Sequence, residues 1–322
     1  MKTRTLAVAG LAAVALATSA PAASAGAATP SPSSAEHHRS TVVFTLRPST
    51  HGNPEGVAWD RRTQSFFVGT IGDGTIYRGH LGSPVVRPFI VGHAGGSAAG
   101  LKVWRGRLYV AGAASGTLTV YSIRTKHVVA RFETGTAGFL NDLVVTPTGD
   151  VYVTDSFRPV LWHVTAAQVR AGGGTPHAIS VAPEIAYQAG QFNLNGIVQL
   201  RGGRELIVVD TVTGQLFRIR FDAAAPGGRT IRLVDAPPLV GGDGLLVDHG
   251  RLVVVRGDPA TLTFLRLGPR HLWAAVVAVR TDPTLRGPST VARARDRYLV
   301  VNADFATSTT PFTVSGLRRG LH

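Results

Sequence analysis

The chain has 322 residues, 44% hydrophobic and 16% charged, which is enough apolar material for a large core and excludes a disordered polymer. Cysteine is absent, which excludes a disulfide framework, thiolate catalysis and a thiolate metal site. The formal charge is +14, but no long basic run occurs and most basic residues stand singly in turns, so the charge reads as a solvated surface and a nucleic-acid partner is not expected.

Lys2 and Arg4 precede an apolar run over residues 6–17, and Ala23-Ser24-Ala25 supplies a small-x-small cleavage site. Residues 1–25 therefore read as a signal peptide and the mature chain as secreted, extracellular or in the cell envelope. The run is too short to span a bilayer and no other segment is long and apolar enough, so no membrane insertion is expected. Residues 26–40 are rich in Ala, Pro and Ser and read as a flexible leader. The folded domain is expected over residues 41–315, with 316–322 as a tail.

From residue 50 onward the chain repeats itself about every 45 residues. Each unit opens with a short apolar strand, expected at 56–59, 100–104, 143–146, 196–200, 244–247 and 289–292. A turn and a stronger strand follow, at 65–69, 107–111, 151–154, 205–209, 251–255 and 298–301, rich in Val, Ile, Leu, Phe or Tyr. Most units continue into a third strand, at 74–78, 116–123, 159–164, 215–221 and 261–267. Residues 166–171 suit a helical turn or two, and 176–191 read as a surface loop near the axis. Separate meanders would expose their edges, and closing six of them into a ring removes that problem. The fold expected is an all-β, six-bladed β-propeller. Residues 41–46 lie ahead of the first unit and would complete the last blade.

The residues that open the units are Glu55, Ala99, Asn141, Asn195, Asp243 and Ser289. In a propeller, equivalent positions of the innermost strands form a ring around the axis. Two carboxylates and two amides in that ring are hard oxygen donors, suited to Ca²⁺ first and less specifically to Mg²⁺, Mn²⁺ or Zn²⁺. Asn-Gly and Asp-Gly are also turn dipeptides, which gives these positions a purely structural alternative. The two readings part on whether the four residues surround an open channel or an apolar plug fills the axis.

Pro54-Glu55-Gly56, Asn141-Asp142 with Pro147 and Gly149, Leu194-Asn195-Gly196 and Gly242-Asp243-Gly244 together resemble the motifs of the gluconolactonase/regucalcin (senescence marker protein) family, over about residues 50–305 in the right order. The resemblance implies a six-bladed propeller that binds a divalent cation and hydrolyses a lactone or ester. It implies Glu55, Asn195 and Asp243 as metal ligands, Asn141 on metal or substrate, and Asp243 as the base that activates water. Some sugar-lactone hydrolases of that family carry an arginine before the third-blade Asn. Phe139-Leu140 stands there in this chain and Phe192 lies near Asn195, which favours a more apolar substrate met by Phe139 and Phe192. The partner expected is thus a small-molecule lactone or ester, met by a monomer. The alternative is a non-catalytic exported propeller that binds through its rim loops.

Among the remaining residues, Asp155 and Asp210 read as turn caps at strand ends. Arg256 and Asn302 sit at similar ends, Arg256 as a solvated residue. Trp59, Trp104 and Trp162 read as core. No Gly-x-Ser-x-Gly elbow, His-Glu-x-x-His or phosphate-binding loop occurs, which disfavours serine hydrolase and nucleotide chemistry.

Overall fold

The computed structural model describes residues 41–320 apart from 223, 226 and 227. The signal peptide and leader read from residues 1–40 lie outside the described residues. Five blades draw all four of their strands from one repeat. Blade 1 is β2 (Pro54–Asp60), β3 (Ser65–Thr70), β4 (Ile76–His80) and β5 (Val85–Ile90); blade 2 is β6 (Leu101–Trp104), β7 (Arg107–Ala111), β8 (Thr117–Ser122) and β9 (Val128–Glu133). Blade 3 is β10 (Leu140–Val145), β11 (Val151–Asp155), β12 (Val160–Val164) and β13 (His177–Ser180). Blade 4 is β14 (Leu194–Leu200), β15 (Glu205–Asp210), β16 (Leu216–Phe221) and β17 (Arg229–Leu233). Blade 5 is β18 (Gly242–Asp248), β19 (Arg251–Arg256), β20 (Thr261–Leu267) and β21 (Ala274–Arg280).

The sixth blade closes the ring. It contains β22 (Pro288–Ala294), β23 (Arg297–Asn302) and β24 (Thr313–Arg318), and β1 (Val42–Leu46) supplies its outer strand by antiparallel pairing with β24. Thr45 and Leu46 of β1 also pair in parallel with Val85 and Val86 of blade 1, so the first and last blades share one continuous sheet. The final strand runs past residue 315, where the sequence reading ended the domain.

Six apolar clusters fill the six gaps between blades. The one between blades 6 and 1 gathers Phe44, Val57, Phe66, Tyr77, Leu299 and Val314. The next, between blades 1 and 2, gathers Ala58, Phe67, Ile76, Leu101 and Leu108. Consecutive residues such as Phe66 and Phe67, or Val57 and Ala58, thus face opposite neighbours and are buried on both sides. This is why the inner strands read as continuous apolar runs and not as alternation.

A six-residue α-helix, α1 (Ala166–Ala171), follows β12; a capping box between Thr165 and Gln168 starts it, and Gly172 in the left-handed region ends it. Residues 177–180, read from sequence as part of an axial loop, instead form the outermost strand of blade 3, paired with β12. Mixed polarity and near-complete exposure hide such edge strands from a pattern search. No helix among the described residues is long and apolar enough to cross a membrane.

Candidate functional site

Five of the six opening residues do not sit in turns. Each lies inside an innermost strand, where the ladder slips at the same place in five blades: between Pro54 and Val57, Leu140 and Leu143, Leu194 and Ile197, Gly242 and Leu245, and Pro288 and Val291. Such bulges re-aim a side chain and increase local twist. They turn Glu55, Asn141, Asn195, Asp243 and Ser289 off the ladder. The glycine that follows an opener serves the ring. A Cβ on Gly196 would lie 2.2 Å from the Asp243 carbonyl oxygen, and one on Gly244 would lie 2.6 Å from Thr290 Cα. Neighbouring inner strands approach too closely for a side chain there, which explains the Asn-Gly and Asp-Gly pairs without a turn.

Hydrogen bonds across the blades fix this ring. Ser289 Oγ donates to the Glu55 carbonyl at 2.7 Å, and Gly100 N donates to the Asn141 carbonyl at 2.7 Å. Thr154 Oγ1 donates to the Asn195 carbonyl at 2.6 Å, and Ser156 Oγ to the Leu194 carbonyl at 2.7 Å. Ser156 Oγ also accepts Asn141 Nδ2 at 3.0 Å. That bond uses the amide nitrogen of Asn141 and leaves its oxygen free.

Glu55, Asn195 and Asp243 line one narrow space with Lys102, Asp142 and Thr290. The walls are mostly polar, with Val57 and Leu101 among them, and the space leaves essentially no room for a free water molecule, so it is a closed polar gap and not an open channel. Four buried side-chain oxygens of the openers have no hydrogen-bond partner: Glu55 Oε2, Asn195 Oδ1 and Asp243 Oδ1, whose residues line this space, and Asn141 Oδ1, whose residue does not line it. Each comes from a different blade. A buried acceptor without a partner costs about 1–3 kcal/mol, so four together call for an occupant.

The electrostatics agree. Burial, then the charges of Asp243 and Asp142, push the Glu55 carboxyl well above the usual range, against a smaller pull from Lys102. Burial, then Asp142, push Asp243 up as well, opposed by a hydrogen bond from the Asn195 side chain. The nearby cation is already engaged, since Lys102 Nζ lies 2.8 Å from Asp142 Oδ1. Two carboxylates and two amide oxygens that lack partners fit a hard divalent cation. Among the described residues no three His, Cys, Asp or Glu side chains gather as ligands, so the set depends on the two amides.

The sequence reading missed Lys102 and named Asp142 only as part of the Asn141-Asp142 motif, with no role in the site. The available signal was that Asp142 stands where four other openers are followed by Gly56, Gly100, Gly196 or Gly244. Phe139 and Phe192 do come together, with ring centroids 5.0 Å apart, and Phe157 joins them at 5.7 and 4.9 Å. Phe157 and Phe192 are exposed. Asp155, the cap expected from sequence, anchors this group: its Oδ1 accepts the backbone N–H of Phe139, Phe157 and Arg158 at 3.0–3.1 Å, and its Oδ2 accepts Arg158 Nε and Trp162 Nε1. Asp210 caps its own turn through Thr213. Arg256 donates to the Val240 carbonyl on the surface, and Asn302 is consumed by Thr284, Thr313, Ser315 and Arg286 N. His51 pairs with Asp73 at 2.6 Å.

No protein-family model and no curated protein matches the chain. Solved structures do. The calcium-binding protein regucalcin from Agrobacterium tumefaciens aligns at 16% identity over 87% of this chain and 96% of that one, with a TM-score of 0.61. A gluconolactonase from Xanthomonas campestris aligns at 16% identity over 86% and 89%, with a TM-score of 0.61. The major Malassezia sympodialis allergen Mala s 1 aligns at 14% identity over 87% and 95%, with a TM-score of 0.65. At these identities the likeness is one of fold, and it agrees with the six-bladed ring.

Proposed function

We propose that this chain is a secreted, divalent-cation-dependent hydrolase of lactones or related esters, a member of the gluconolactonase/regucalcin family working at the axis of the ring. The observation that carries the reading is the set of four buried, partnerless oxygens contributed by four blades. The fold shared with a calcium-binding regucalcin and a gluconolactonase supports it.

Glu55, Asn141, Asn195 and Asp243 would hold the cation, with Ca²⁺ the first choice for an all-oxygen set and Mg²⁺, Mn²⁺ and Zn²⁺ behind it. A cation bound there would supply polarisation of the substrate carbonyl and offset the charge that develops on its oxygen. The chain's own groups do the rest. Asp243 accepts a proton from water as the water oxygen bonds to the carbonyl carbon. The ring C–O bond then breaks, and the proton passes to the departing alkoxide oxygen. The Asn195 amide holds Asp243 in place. Lys102 neutralises Asp142, so the uncompensated charge is that of Glu55 and Asp243. Phe139, Phe157 and Phe192 provide an apolar wall beside the openers of blades 3 and 4, which suits a lactone with an apolar substituent.

One observation favours a second reading, an exported binding module without chemistry. The axial space leaves essentially no room for a free water molecule, against the roughly 300–1,000 Å³ of ordinary small-molecule sites. An assay across sugar, aliphatic and aromatic lactones with each of the four cations separates the two. The hydrolase reading expects turnover of an apolar lactone, abolished by Asp243→Ala and shifted mainly in KM by Asn141→Ala. Inactivity across the whole panel leaves the binding module.

A further inference from the structure

A larger cleft lies on the other side of the ring. It holds about 690 Å³ between blades 1 and 2 and is lined by Trp59, Trp104, Arg61, Arg62, Arg105, Arg107 and Arg124. Apart from Arg124, in the turn between β8 and β9, these residues sit at or beside the return turns that end the inner strands, whereas the openers lie where the inner strands start. Three segments distant in sequence, 61–62, 105–107 and 124, thus bring five guanidinium groups to one cavity.

The repeat supplies an internal control. Asp60 and Asp248 occupy the same place in their blades, the last residue of the inner strand. Asp248 is bound by Arg293 Nη1 at 2.8 Å and Arg319 Nη2 at 2.8 Å. Asp60 takes no arginine side chain. Its Oδ1 accepts Arg62 N at 3.0 Å and its Oδ2 accepts Thr63 Oγ1 at 2.6 Å, within its own turn. It is the cleft's one carboxylate, and none of the five arginines forms an ion pair among the described residues. The Arg105 guanidinium lies 4.5 Å from the Trp104 ring centroid, stacked on the cleft wall.

We infer that this cleft is a binding site for a small ligand bearing two or three adjacent phosphate groups. Like charges gathered in a cleft raise the local concentration of counter-ions, and guanidinium forks match phosphate oxygens in pairs. The volume holds more than one phosphate, and Trp59 and Trp104 give an apolar floor. The site is independent of any cation at the axis.

Calorimetric titration of the full chain with inorganic tripolyphosphate at physiological salt tests this. One binding event is expected, and orthophosphate should bind at least about tenfold more weakly because it meets fewer forks. Arg62→Gln, Arg105→Gln and Arg124→Gln combined should weaken tripolyphosphate by about tenfold or more. A control combining Arg87→Gln, Arg170→Gln and Arg232→Gln, all exposed and elsewhere, removes the same charge and should change affinity by less than about twofold. No binding by the unaltered chain, equal loss in both triple variants, or equal affinity for orthophosphate would each overturn the assignment. The substitutions are at exposed positions, and unchanged melting of each variant confirms that the fold is kept.

Discussion

Ser156 joins three parts of the ring, and its removal gives a sharp test of how the candidate site is held. Its Oγ accepts Asn141 Nδ2 at 3.0 Å and donates to the Leu194 carbonyl at 2.7 Å, while its backbone oxygen accepts Asn193 Nδ2 at 3.1 Å. Ser156 is buried, so water cannot replace these bonds without opening the blade 3–4 junction. Ser156→Ala keeps the backbone contact and strands two buried groups, the Asn141 amide and the Leu194 carbonyl. At about 1–3 kcal/mol for each unsatisfied group, with part recovered by relaxation, the expected loss is roughly 2–4 kcal/mol. For a chain of this size that corresponds to a fall in Tm of roughly 3–7 °C. Scanning calorimetry measures it. A double-mutant cycle with Asn141→Ala should show coupling of about 0.5–3 kcal/mol, because the two side chains share one bond. A Tm within about 1 °C of the parent, or strictly additive single effects, would refute the claim that Ser156 sets the orientation of Asn141.

Gly196→Ala should destabilise by about 1–3 kcal/mol or more in a urea titration, since its Cβ would meet the Asp243 carbonyl oxygen at 2.2 Å; an unchanged midpoint would show that the inner strands are not in contact there. For Asp248, burial alone raises the carboxyl, but hydrogen bonds from Tyr298 and Arg293 and the charges of Arg319 and Arg293 hold it below its usual value. The unfolded chain therefore takes up the proton first as pH falls. The contribution of Asp248 is complete above about pH 4 and is lost as pH drops through its lower folded value. Asp248→Asn should thus cost stability at pH 6 and much less at pH 3, by denaturant midpoint; an equal gap at both would exclude the ionic explanation.

The strands that the sequence exposed most clearly are those buried on both faces. Phe66, Phe67 and Val68 in blade 1, or Leu252, Val253, Val254 and Val255 in blade 5, form runs that no helix period explains. Outer strands were hidden because one side meets water: β13 is nearly all exposed, and β17 carries two arginines among its five residues. The four oxygen-bearing openers were legible as a repeated position, but not the bulges that aim them, which arise only when the ladder is laid down. The Lys102–Asp142 pair was illegible for a different reason. It joins residues on adjacent blades through a contact that no local spacing encodes. The Phe139–Phe192 contact was half legible, since each stands just before an opener, whereas Phe157 enters from another turn and shares only the Asp155 anchor.

The central claim is that the four partnerless oxygens hold a divalent cation, and the melting temperature of the chain with and without chelator tests it most directly. Occupancy at the meeting point of the blades stabilises the closed ring over the unfolded chain, by about 2.7 kcal/mol at a hundredfold excess over Kd. EDTA should therefore lower Tm and Ca²⁺ should restore it, and Glu55→Gln should weaken the response because it removes one of two uncompensated negative charges. A Tm indifferent to EDTA and to added Ca²⁺, Mg²⁺, Mn²⁺ and Zn²⁺ would contradict the account.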